Sequence, residues 1–205
     1  TRWSFSHFSS DVWPPEGILP VRWYFRADSA LSMDAPTVAE SRRFEHAVRD
    51  TTLTMQACID AQFRGPQFST RLPKETLHFD SPPLARETLM AGIPRVRLVY
   101  ASSAGIVQCN AQIWELRPNG AADFVSRINF SDFHVTPDAV NDTVFDGMAR
   151  AHVFAKGNRI RVVLTNLDTQ PEDRFLLSNP HVLPVLTPGV YTLFTSAARP
   201  SYLEL

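Results

Sequence analysis

The sequence predicts an all-β fold, a sandwich of mostly antiparallel strands. Short runs rich in Val, Ile, Leu and Thr alternate with polar residues at the period of two that half-buried strands require. Sixteen prolines punctuate these runs, and such spacing favours strands joined by loops over long helices. With 205 residues and 23.0 kDa, the chain is long enough to form one sizeable core. We therefore expect a single domain over residues 1–205.

Residues 1–75 form an aromatic, loop-rich lead-in that we expect to wrap the sandwich. A Pro-Pro turn at residues 14–15 precedes a β-prone run over residues 21–26. No period holds over residues 33–73, so we expect a long irregular excursion there, with a short helix between residues 37 and 50.

The sandwich strands are expected from about residue 76 to the end. Ile113 and Trp114 are adjacent apolar residues, so the alternation of apolar and polar residues along this strand changes face between them. We call this change the parity flip, and either a β-bulge or an outer face covered by other chain would explain it. Pro118-Asn119-Gly120 then predicts a turn. The remaining strand-like runs are residues 77–79, 96–100, 109–113, 123–128, 144–154, 160–166, 182–186, 190–195 and 199–205.

Residues 149–166 carry the clearest pattern. Apolar residues alternate with arginines and His152 on both sides of Lys156-Gly157-Asn158, where Gly157 and Asn158 tolerate positive φ. The pattern predicts a β-hairpin over residues 153–162, with one face of its sheet in water.

The same residues carry a resemblance to a known family. The segment Val-Phe-Ala-Lys-Gly-Asn-Arg-Ile-Arg-Val over residues 153–162 resembles the end of the C-terminal domain of X-Pro dipeptidyl-peptidases and cocaine-esterase-like (CocE/NonD) serine hydrolases, although that family commonly has His where Asn158 stands. The turn over residues 116–122, the junction over residues 79–84, the Trp13-Pro14 element and the Pro-Ser-x-Leu-x-Leu ending at residues 200–205 resemble the same family.

The resemblance implies a jelly-roll sandwich of the galactose-binding-domain-like type that is itself non-catalytic. It also implies a Ser-Asp-His triad upstream, in an α/β-hydrolase domain of the same polypeptide that this domain buttresses, while helping to shape the active-site entrance or an oligomer. Because the chain begins at Thr1, we expect an excised domain. The aromatic residues Trp3, Trp13 and Trp23 are candidate interdomain or ligand contacts, and the alternative is that their rings fill the core.

The motifs of a self-contained enzyme are missing from the sequence. It has no Gly-x-Ser-x-Gly elbow and no phosphate-binding glycine loop. Its six histidines are dispersed, and the carboxylates at residues 75, 80, 172 and 173 fall in proline-rich loops. We expect no catalytic residue, cofactor or metal in this chain, whereas the parent protein is expected to be a hydrolase. The competing function is a carbohydrate-binding module, with Trp13, Trp23 and Trp114 as sugar platforms.

The charge and the cysteine content limit which binding partners and which cellular compartment we expect for this chain. The formal net charge is −1, and arginine pairs such as Arg42-Arg43 and Arg95-x-Arg97 are typical of solvated faces, so we expect neither nucleic acid nor membrane as a partner. No apolar run reaches the length of about 18 residues that a spanning helix needs. Cys58 and Cys109 have no ligand-like spacing, and Cys109 is expected to be a buried free thiol. We expect a soluble chain, with the cytoplasm slightly favoured over secretion and a homo-oligomer left open.

Overall fold

The computed structural model describes residues 10–46, 77–165 and 189–205, and within them it contains thirteen strands and no helix. The predicted all-β class is confirmed. The strands are β1 Arg22–Phe25, β2 Leu31–Ser32, β3 Glu40–His46, β4 Leu77–Asp80, β5 Thr88–Gly92, β6 Arg95–Ser102, β7 Val107–Leu116, β8 Ala122–Asp132, β9 Asn141–Asp146, β10 Arg150–Phe154, β11 Arg159–Thr165, β12 Gly189–Thr195 and β13 Tyr202–Glu204.

These strands form three antiparallel sheets arranged as a jelly-roll-like sandwich. The large sheet has the order β2-β1-β13-β6-β12-β3, and β9 also pairs with β6. The four-stranded sheet has the order β4-β11-β7-β8, and the small sheet consists of β10 and β5. The strand β6 lies at the centre of the large sheet, because β13 pairs with its first half and β12 pairs with its second half.

The core lies between the large and four-stranded sheets. Phe25 of β1 and Phe79 of β4 meet there with ring centroids 4.7 Å apart, and both are fully buried. Near β8 and β9, the rings of Phe130 and Phe145 stack at 3.8 Å. Because these aromatic pairs join strands of different sheets, they connect the two layers directly.

A β-bulge interrupts the pairing of β7 with β8 between Ile113 and Trp114, as the parity flip predicts. Ile113 lies in the main core, whereas Trp114 packs in a second cluster with Ala122 and Val163. The Trp114 ring also meets Phe124 edge-on, with centroids 5.3 Å apart. The bulge therefore turns one apolar strand toward two separate clusters.

The predicted hairpin over residues 153–162 is wrong in its pairing. Both strands and the turn exist, and Gly157 has a φ of +84°. However, β10 pairs with β5, whereas β11 pairs with β4 and β7. The turn is held by Leu84 instead, which donates to the Asn158 carbonyl at 2.8 Å and accepts from the Gly157 N–H at 2.9 Å. These bonds direct the chain from the small sheet into the four-stranded sheet.

The described part of the lead-in belongs to the sandwich, because β1, β2 and β3 are strands of the large sheet. The short helix predicted within residues 37–50 is wrong, since Glu40–His46 is a strand paired along its length with β12. Backbone pairing with a neighbouring strand outweighs the moderate helix propensity of this segment. The irregular excursion beyond residue 46, the run at 182–186 and Cys58 lie outside the described residues.

Candidate functional site

The segments that resemble the hydrolase family contact one another inside the scaffold. Ser81 donates its N–H to the Ile160 carbonyl at 2.9 Å, and its hydroxyl accepts the Ile160 N–H at 2.9 Å. Arg161 donates two hydrogen bonds of 2.5 Å to the Asp80 carboxylate. Ser81 is fully buried. The side chains of these motifs are therefore engaged in joining strands rather than in binding a substrate.

A buried carboxylate, Glu115, organises the crossing between β10 and β11. Its oxygens lie 2.8 Å from His152 Nε2, and accept from the Ala155 N–H at 2.7 Å and the Asn158 side-chain amide at 2.7 Å. Burial raises the pKa of Glu115, but these three hydrogen bonds outweigh burial and hold the pKa below its usual value. Glu115 thus stays ionised at neutral pH and ties β7 to β10 and to the following turn.

The Glu115–His152 pair does not complete a catalytic triad. A triad needs a hydroxyl or thiol within hydrogen-bond reach of the second imidazole nitrogen. Among the described residues, the hydrogen bonds of the His152 ring include Glu115 but no hydroxyl or thiol. The ring lies edge-on to Phe154 at 4.7 Å. Sequence reasoning missed this cluster, since it placed His152 on the surface, and the parity flip beside Glu115 is the signal that could have revealed it.

No metal centre emerges in the parts of the chain that the structure describes. No group of three His, Cys, Asp or Glu side chains converges within residues 10–46, 77–165 and 189–205. A small cavity of about 10 Å³ lies between Arg26, Arg42 and Phe194, well below the roughly 300–1,000 Å³ of typical ligand pockets. Over these same ranges, no helix is long and apolar enough to cross a membrane.

The outer face of the large sheet carries a row of alternating charges. Glu204 lies between Arg22 at 2.8 Å and Arg95 at 3.8 Å, and Arg95 pairs in turn with Asp146 at 2.5 Å. The guanidinium of Arg95 lowers the pKa of Asp146. The adjacent Arg97 donates two hydrogen bonds to Asp142. Arg22, Arg95 and Arg97 are each paired with a carboxylate, so this row of charges presents no unbalanced positive charge to a nucleic acid.

Exposed apolar side chains lie on three segments that approach one another beside the small sheet. They are Val12, Trp13, Ile93 and Met148, which we call the Trp13 patch. The exposed fractions are 48% for Trp13, 56% for Ile93 and 76% for Met148, and half of Val12 is also exposed. Large apolar side chains exposed close together mark contact surfaces more often than scattered ones do.

Backbone contacts bring the three segments of the patch together. A Cβ placed on Gly92 would lie 4.0 Å from the Pro14 Cβ, so the Trp13 segment lies against the end of β5. The Gly147 N–H donates to the Pro94 carbonyl at 2.7 Å, which joins the β9–β10 connection to the β5–β6 connection. Trp13, Ile93 and Met148 are each next in sequence to one of these contact residues.

The candidate tryptophans are placed differently from one another. Trp13 is half-exposed and precedes a cis peptide bond to Pro14. Trp23 is 7% exposed and packs in the main core, as the core-filling alternative describes. Trp3 lies outside the described residues. Trp114, the third sugar-platform candidate, is 2% exposed. Trp13, Trp23 and Trp114 therefore do not form a row of exposed rings, and the carbohydrate-binding interpretation loses the feature on which it depends.

Comparison with known proteins gives one family and several similar folds. The family model described as the X-Pro dipeptidyl-peptidase C-terminal non-catalytic domain matches residues 6–204. A search of curated proteins gives no significant match. The chain is similar in structure to an aminopeptidase from a marine sediment Thaumarchaeota archaeon, with 18% identity, a TM-score of 0.70, and coverage of 95% of this chain and 38% of that one.

Two further solved structures share the fold. A CocE/NonD family hydrolase from Staphylococcus aureus has 11% identity and a TM-score of 0.72, with coverage of 96% of this chain and 38% of that chain. An α-amino acid ester hydrolase has 16% identity and a TM-score of 0.59, with coverage of 90% and 35%. The chain thus spans little more than a third of the length of these proteins. On the match over residues 6–204, this chain belongs to the family of X-Pro dipeptidyl-peptidase C-terminal non-catalytic domains.

Proposed function

We propose that this chain is the C-terminal domain of a serine hydrolase of the X-Pro dipeptidyl-peptidase or acyl-esterase class, and that it buttresses an upstream α/β-hydrolase domain of the same polypeptide. The observation that carries the proposal is the family match over residues 6–204. The chain also spans only 38% of the archaeal aminopeptidase and of the staphylococcal hydrolase, which leaves room for a catalytic domain.

The polar chemistry of the described residues supports a scaffolding role. Glu115, Asp80 and Ser81 are engaged in hydrogen bonds that fix strands and turns, and none of them lines the small cavity between Arg26, Arg42 and Phe194. Hydrogen bonds of this kind rigidify the strands and turns that they join, and a rigid body is what buttressing requires. We propose that, through this rigidity, the domain also helps to shape the active-site entrance or an oligomer.

The sequence encoded immediately upstream of Thr1 tests the parentage. We expect a Gly-x-Ser-x-Gly elbow followed by the Asp and His of a triad, because the resembled hydrolases carry their chemistry there. A signal peptide joined directly to Thr1 would refute the proposal.

Thermal inactivation of the complete polypeptide tests the buttressing role. Glu115→Ala removes a buried carboxylate of this domain, whereas Asp123→Ala removes an exposed partner of Arg117 and serves as the matched control. If the domains support each other, Glu115→Ala lowers the temperature at which hydrolysis is lost and Asp123→Ala does not. Equal inactivation temperatures for the wild type and both variants would mean that the domain does not buttress the enzyme.

A further inference from the structure

We propose that the Trp13 patch is the surface through which this domain contacts the catalytic domain of its own polypeptide. This inference rests on the proposed function and adds to it the contact surface. It identifies the occupant as the upstream α/β-hydrolase domain of the proposed function, and the contacts as apolar ones centred on Trp13, Ile93 and Met148.

The composition of the patch fits an interdomain contact. Trp13 and Met148 belong to the residue types enriched at protein interfaces, and their exposed fractions in this chain are 48% and 76%. In contrast, the outer face of the large sheet carries paired charges from Arg22 to Asp146. Burying those ion pairs against an apolar partner would cost desolvation energy that burying the patch does not.

The patch is also preorganised. Two of its three segments are attached to strand ends, since Ile93 follows β5 directly and Met148 lies between β9 and β10. The Gly147–Pro94 hydrogen bond joins two of the segments. Gly147 has no room for a side chain, because a Cβ there would lie 2.8 Å from the Ile128 side chain. A partner therefore meets a surface whose backbone is already in place, which lowers the entropy cost of docking.

The path of the chain identifies the occupant. When a catalytic domain precedes this one, the polypeptide enters through residues 10–15, and this segment lies against Gly92 at the patch. A tethered domain is thus held near the patch at an effective concentration on the order of millimolar. Even a modest apolar surface can hold a partner under that condition.

Methionine oxidation in the complete polypeptide tests the inference without dividing the protein. Hydrogen peroxide oxidises accessible methionines, and peptide mass spectrometry gives the rate at each site. Met148 is 76% exposed in this domain, Met33, which lies outside the patch, is 60% exposed, and Met90 is buried. Met33 is therefore the accessible internal standard and Met90 the protected one.

We expect Met148 to oxidise on the order of ten-fold more slowly than Met33 in the complete polypeptide, although it is the more exposed of the two here. Trp13→Ser should then speed the oxidation of Met148 and leave Met33 unchanged. The matched control Phe133→Ser, an exposed aromatic outside the patch, should change neither rate.

Two outcomes would overturn the inference, and a third would overturn the proposed function. Met148 oxidising as fast as Met33 in a polypeptide that contains an upstream hydrolase domain would show that the patch is open. Met148 protection that persists unchanged in Trp13→Ser would show that Trp13 does not anchor the contact. A polypeptide without an upstream hydrolase domain would instead remove the proposed function.

Discussion

Replacing Glu115 with alanine should destabilise the domain by about 3 kcal/mol. The carboxylate makes three hydrogen bonds of 2.7–2.8 Å, to His152, Ala155 and Asn158. A hydrogen bond to a charged group contributes roughly 1.5–3 kcal/mol. The desolvation cost of burying the carboxylate offsets part of the stabilisation that these hydrogen bonds provide. We therefore expect a loss at the lower end of the roughly 3–5 kcal/mol measured when one partner of a buried ion pair is removed.

Urea unfolding at pH 7 measures this loss, and the melting temperature should fall by about 6–12 °C. The matched control is Asp123→Ala, which breaks an exposed ion pair with Arg117 and should cost less than about 1 kcal/mol. A loss of 1 kcal/mol or less for Glu115→Ala would refute the view that this carboxylate holds the β10–β11 crossing.

The same cluster should make stability depend on pH in the acid range. The folded-state pKa of Glu115 lies below its unfolded value, so the unfolded state binds more protons between the two values. The stabilisation is therefore present above the ordinary glutamate pKa of about 4.3 and is lost as pH falls through the lowered folded value. Wild-type protein should lose stability in this window more steeply than Glu115→Gln. Parallel pH profiles for the two proteins would contradict this assignment.

Three further predictions test other parts of the structure. Asn158→His should cost less than about 1 kcal/mol because an imidazole can also donate to Glu115, whereas Asn158→Leu should cost about 1–2 kcal/mol; urea unfolding separates them. Trp114→Ala should cost about 3–5 kcal/mol and Trp13→Ala less than about 1 kcal/mol in this chain, because the former is buried and the latter half-exposed; similar losses would contradict the described packing. Burial raises the pKa of Cys109 to about 12, so its alkylation at pH 8 should be on the order of a thousand-fold slower than after unfolding, as followed by peptide mass spectrometry.

Alternation and turn chemistry predicted the strands because both are local properties. The bulge at Ile113–Trp114 and the positive φ of Gly157 follow from residues adjacent in sequence. Strand pairing is not local. A Gly-Asn turn favours a hairpin, but here the turn is hydrogen-bonded to Glu115 and Leu84, and β11 lies in a different sheet from β10.

Side-chain burial was predictable only where one face of a strand meets the core. Trp114 follows the bulge and enters a second cluster on the other face, so its burial depends on Ala122 and Val163 from neighbouring strands. The role of Glu115 escaped sequence reasoning for a similar reason, since its three partners are 37 to 43 residues away. The Trp13 patch likewise depends on three segments that are far apart in the chain, residues 12–13, 93 and 148.

Hydrolysis by the purified chain and by its complete polypeptide tests the central claim most directly. With an X-Pro-p-nitroanilide and a p-nitrophenyl ester as substrates, we expect no turnover by the 205-residue chain. The complete polypeptide should hydrolyse one of these substrates and lose that activity when the serine of its upstream Gly-x-Ser-x-Gly motif is replaced. Hydrolysis by the 205-residue chain alone, abolished by a substitution within it, would contradict the claim that its role is non-catalytic.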